Sequence, residues 1–103
     1  MIYSDNYIVI QGWMVSDLKL KGLDLLIFAI IYSFSQDASS SFTGSLSYLM
    51  DWTNSSNYGV RKSLQRLLDV NLIYKEEFEK DGVRRCAYSY SPLTVSMIRR
   101  RSL

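Results

Sequence analysis

The sequence predicts an α+β fold, mainly α, in a single domain. Three observations carry that prediction. Apolar residues recur at helical spacing over residues 46–50 and 60–68, and residues 23–34 are apolar almost throughout. Polar stretches at 35–41 and 53–56 separate these segments. After Leu72 the pattern switches to two β-rich runs around Asp81-Gly82, a strong hairpin signal. A chain of 103 residues, 48% of them apolar, can build one core without staples.

The elements follow in order. "NYIVI", Asn6 to Ile10, is a β-prone run. "GWMVSDLK" suits a short helical turn anchored by Trp13. Helix is expected from about Gly22 to Ser35, because ten of the twelve residues from Leu23 to Phe34 are apolar. A helix apolar nearly all round is either the centre of the domain or part of a subunit interface, and the central position is the preferred reading. "SQDASSS" is a polar loop, and Phe42-Thr43 is read as a very short strand. A short helix follows, capped by Ser45 and striped by Leu46, Leu49 and Met50. "TNSS" should stop it near Trp52, since Asn and Ser compete for backbone hydrogen bonds.

A second helix is expected from about Ser55 to Val70, with Val60, Leu64, Leu67 and Leu68 on one face. Ser55, Tyr58, Lys62, Arg66 and Asp69 fall on the opposite face, Gln65 lies close to them, and Arg61 stands at the flank. "LIYKEEF" and "VRRCAYSY" are strands. A four-residue loop, Glu79 to Gly82, would pair Phe78 with Val83, Glu77 with Arg84 and Glu76 with Arg85, which favours it over a two-residue loop. The core is expected over about residues 11–91. Residues 92–103 are either a tail, the start of a linker, or a further helical turn with Ser91 as cap and Pro92 at its first position.

Composition removes several function classes. There is no His and one cysteine, Cys86, so no internal disulfide forms and a zinc site lacks soft ligands. The glycines are scattered and make no phosphate cradle. No nucleophile has a base beside it, so no catalytic residue, cofactor or small-molecule substrate is expected. The first residues lack a basic signal-peptide region, and the longest apolar run, Leu25 to Ile31, is far shorter than a membrane span. A cytoplasmic, non-enzymatic protein away from membranes is expected.

Charge is distributed unevenly. Residues 1–54 carry two basic and five acidic side chains, whereas residues 55–103 carry ten basic and five acidic. Such asymmetry hints at a surface that meets a polyanion.

The succession of short strand, helix, tight turn, amphipathic helix and hairpin is a winged helix-turn-helix, a three-helix core with a C-terminal β-hairpin wing. "FTGSLSYLMDWTNSSNYGVRKSLQRLLDVNLIYKEE" resembles the winged helix-turn-helix at the start of phage and plasmid replication proteins, the initiators and replisome organisers, and "LKGLDLLIFAIIYSFSQD" resembles their first helix. The resemblance covers roughly Gln11 to Tyr90.

It implies sequence-specific binding of double-stranded DNA in replication initiation. The alternatives are a transcription regulator, or a winged-helix module for protein interaction or dimerisation. A recognition helix offers its first residues to base edges, and small polar side chains allow close approach. Ser55, Ser56, Asn57 and Tyr58 are therefore the groove-contact candidates, with Asn57 able to read adenine. Lys62 and Arg66 point outward toward phosphate or guanine, and Arg61 toward the backbone. The wing contributes Lys80 at its tip with Arg84 and Arg85 beyond, unless Glu76 and Glu77 pair with both arginines. Arg99, Arg100 and Arg101 are further phosphate candidates. A homodimer through the apolar helix 22–35 is the candidate protein partnership.

Overall fold

The computed structural model describes residues 4–36 and 40–101. The centre of the expected polar loop, residues 37–39, and the final two residues lie outside that range. The elements run α1 (Gly12–Ser16), α2 (Gly22–Ser35), α3 (Leu46–Thr53), α4 (Asn57–Asp69), β1 (Ile73–Lys80), β2 (Val83–Tyr90) and α5 (Pro92–Arg101). The architecture is α+β and mainly helical, with one antiparallel two-stranded hairpin. No described helix is long and apolar enough to cross a membrane.

Helix α2 is apolar nearly all round because the chain itself surrounds it. Ile27, Phe28, Ala29, Ile30 and Ile31 are all buried, and α1, α3, α4 and β2 pack against the helix. Burying each of the large side chains contributes about 1.5–3 kcal/mol. The rest of the core comes from every other helix, from β1 and from the connections: Met14, Leu18, Phe42, Leu49, Val60, Leu64, Leu67, Leu72, Ile73 and Val95. Trp13 packs edge-on against Phe28 and Tyr32, and Tyr32 meets Tyr90 at 4.7 Å.

Local chemistry sets the helix ends. The Ser45 side chain accepts a hydrogen bond from the Tyr48 N–H at 3.2 Å, as a cap should. At the end of α3, Asn54 enters the left-handed region (φ 51°) and its N–H bonds back to Met50. The Ser56 hydroxyl then accepts from the Gly59 N–H at 3.1 Å and starts α4. The "TNSS" stretch is therefore a stop signal followed by a start signal. At the end of α4, Asn71 (φ 60°) donates to the Leu68 carbonyl and Leu72 to that of Leu67, the paired bonds of a left-handed helix stop.

Two sequence expectations change, and a third is narrowed. Residues 6–10 form no strand. They make no ladder, and Tyr7, Val9 and Ile10 are exposed, so β propensity meets no strand edge there. The hairpin takes the two-residue loop: Lys80 pairs with Val83, Glu79 with Arg84 and Phe78 with Arg85. Asp81 (φ 55°) and Gly82 (φ 76°) both lie in the positive-φ region, and a turn of that kind matches the right-handed twist of its strands. This backbone preference outweighs cross-strand pairs worth a few tenths of a kcal/mol each. Of the tail, linker and helical-turn readings of residues 92–101, the structure takes the last and extends it to a full helix. Ser91 caps it by accepting from the Thr94 N–H, Pro92 holds its first position, and Val95 enters the core.

The short strand at Phe42 is present as a single bridge to Tyr88. It ties the approach to α3 onto the hairpin, which places the hairpin beside α4.

Candidate nucleic-acid interface

Helix α4 presents four strips to its surroundings. Val60, Ser63, Leu64 and Leu67 face inward and are buried. Arg61 and Gln65 turn toward the hairpin. Arg66 turns the other way, toward α2. Between them, Tyr58 and Lys62 are exposed to solvent, and Asn57 is exposed at the start of the helix. Arg66 thus departs from a simple outward-facing set.

The groove between α4 and the hairpin measures about 420 Å³. Arg61, Gln65 and Leu68 line its helical wall, and Lys75, Arg84 and Tyr88 line the opposite one. Burial pushes the Tyr88 phenol up from its ordinary value, against the pull of nearby Lys75 and Arg61, so it stays a neutral hydroxyl. Arg84 and Arg85 are successive residues of one strand, and both line the groove.

The first turn of α4 is open. It contains no acidic residue, and the first carboxylate along the helix is Asp69 at its last position. Ser56 spends its side chain on the cap, and the Ser55 hydroxyl donates to the Thr53 carbonyl at 3.1 Å. Asn57 is exposed and forms the first helical residue. Tyr58 is 70% exposed, and the Lys62 ammonium lies 5.6 Å from its ring centre, one turn away. The free N–H groups of this helix end add partial positive charge.

Ion pairs then sort the basic residues. Asp24, in the first turn of α2, receives Arg66 Nη2 at 2.7 Å and Nε at 2.9 Å, and the Ser63 hydroxyl at 2.6 Å. The Arg66 hydrogen bond is the main cause that holds the Asp24 carboxyl below its ordinary range. Glu77 meets Arg84 at 3.2 Å and Lys75 at 3.7 Å. Among the described residues, Arg61, Lys62, Lys80 and Arg85 enter no ion pair. The expected pairing of hairpin acids with both arginines is thus present for Arg84 alone, and through Glu77.

Sequence reasoning missed Asp24, Ser63 and the Lys75 contact of Glu77, while the pairing of Glu77 with Arg84 is the one it expected. Asp24 lies 42 positions from Arg66, and no periodicity links two helices that far apart. Ser63 does carry a signal: it is a polar residue on the apolar stripe of α4, which marks a buried hydroxyl in need of a partner.

The arginine run at the end of α5 lies elsewhere. Arg99 stacks over the Trp13 ring at 4.7 Å and pairs with Asp17 at 3.5 Å, so it latches α5 to α1. Arg100 donates to the Ser96 hydroxyl.

No protein-family model matches the chain, and no curated protein matches it.

Proposed function

We propose that this chain is a winged-helix domain that binds double-stranded DNA, with α4 as the recognition helix and the hairpin as the wing. One observation carries the reading. The exposed start of α4, with Asn57, Tyr58 and Lys62 and no carboxylate before Asp69, lies beside a groove lined by Arg61 and Arg85, which enter no ion pair among the described residues, and by Lys75 and Arg84, which Glu77 holds. A helix start that projects polar side chains between flanking cations suits base edges with phosphate on either side. Ser55 and Ser56 serve this reading by shaping the turn and the helix end, and Asn57 and Tyr58 supply the base contacts. Arg61, Lys62, Lys80 and Arg85 supply phosphate contacts.

The role in replication of a phage or plasmid type rests on the resemblance of residues 42–77 to initiators and replisome organisers. DNA binding rests on the geometry around α4 and does not need it.

A fluorescence-anisotropy titration against a random-sequence duplex at two salt concentrations tests the reading. Binding should weaken steeply with salt. Arg61→Ala with Lys62→Ala should weaken binding to any duplex and reduce the salt slope by roughly 0.9 for each phosphate no longer neutralised. No binding at low salt would overturn the reading. Sedimentation would then ask whether the chain self-associates instead.

A further inference from the structure

Two carboxylates stand on either side of α4, and each occupies cations that would otherwise face a duplex. On the α2 side, Asp24 holds Arg66 by a two-pronged contact at 2.7 and 2.9 Å. On the wing side, Glu77 holds Arg84 at 3.2 Å and Lys75 at 3.7 Å. We infer that Asp24 and Glu77 are specificity-determining residues that suppress indiscriminate phosphate binding. The inference rests on the DNA-binding reading above.

The reason is electrostatic. Affinity for random DNA comes almost wholly from phosphates neutralised by Lys and Arg. A cation already paired within the protein contributes less, because contact with a phosphate must break the pair and leaves a carboxylate near the duplex. Both effects oppose non-specific binding. Base contacts from Asn57 and Tyr58 are untouched, since neither residue joins these pairs. The ratio of specific to random affinity therefore rises, although affinity for any single duplex falls.

Asp24 is the better placed of the two. It is only 22% exposed at its side chain, and the Ser63 hydroxyl fixes one of its oxygens at 2.6 Å. Its carboxylate can therefore hold the Arg66 guanidinium in one orientation, directed off the outward strip of α4. Glu77 is 47% exposed and acts as a looser clamp.

The test uses the full chain with a random duplex and with the best duplex from a binding selection. Asp24→Asn and Glu77→Gln keep side-chain size and remove charge. Each variant should bind the random duplex several-fold more tightly. Its salt slope should steepen by about 0.9 for each phosphate newly neutralised. The ratio between selected and random duplex should narrow. In Asp24→Asn, adding Arg66→Ala should cancel the gain, which a general charge effect would not predict.

A thermal melt checks that Asp24→Asn folds. Should it fail to fold, Glu77→Gln on the exposed hairpin carries the test alone. Wild-type binding with unchanged random affinity and ratio in the folded variants would overturn this inference and leave the DNA-binding reading intact. Absence of any wild-type binding would overturn both.

Discussion

Phe42 and Tyr88 exchange two backbone hydrogen bonds, at 2.7 and 2.8 Å, across 46 positions of sequence. The Phe42 ring is 1% exposed and packs against Phe34 and Tyr48. This pair fastens the approach to α3 onto β2, and through it sets the hairpin beside α4. Phe42→Ala should destabilise the fold by about 3–5 kcal/mol, read as a lower urea midpoint. Gly44→Ala should cost about 1–3 kcal/mol, because its Cβ would stand 2.6 Å from a Phe42 ring carbon. A Gly44→Ala protein as stable as wild type would show that the loop yields freely there.

The Asp24 carboxyl has a pKa lowered from its ordinary value of 3.8, chiefly by the Arg66 hydrogen bond. A depressed folded-state pKa adds stability that is complete above the unfolded value and is lost as pH falls through the folded one. The urea midpoint should therefore drop as pH is lowered below about 3.8. Asp24→Asn should start lower at neutral pH and lose less over the same interval. Parallel curves for the two proteins would remove Asp24 as a source of acid sensitivity.

Ser56 caps α4, and it also lies at the proposed groove contact. Ser56→Ala should cost about 0.5–2 kcal/mol of stability. Ser56→Asp keeps the cap and places a negative charge at the helix start. It should retain stability and yet weaken DNA binding. Thermal melts and anisotropy titrations on the two variants separate the structural role from the binding role.

The turn at Asp81 and Gly82 fixes the register of the wing. An alanine at Gly82 meets nothing within 4 Å, so its cost is the backbone strain of φ 76°, about 1 kcal/mol. Cross-strand NOEs in the wild-type protein should pair Phe78 with Arg85 and not with Val83. The opposite pattern would restore the longer loop.

Much of the fold was legible along the chain. Helices α2, α3 and α4 begin and end within two residues of expectation. Their signals are local: Ser45 as a cap, and apolar stripes at helical spacing. Ser91 and Pro92 marked the start of α5 in the same way, while nothing local fixed its length. The centrality of α2 was legible because a helix apolar on all sides must be covered on all sides. The run at 6–10, which forms no strand, shows the limit, because strand propensity acts only where a neighbouring edge is offered.

The candidate site was legible as a set of residue types, and far less as a set of states. The sequence by itself determined that a polar helix start and outward cations occur on one amphipathic helix, because both follow from the 100° step between residues. Only the tertiary structure decided which of those cations are free. Arg66 is held by a carboxylate on α2, Arg84 by one on the facing strand, while Arg61 and Lys62 keep their charge unpaired among the described residues. Charge pairing acts through space over a few ångströms, and packing alone brings positions 24 and 66 within that distance.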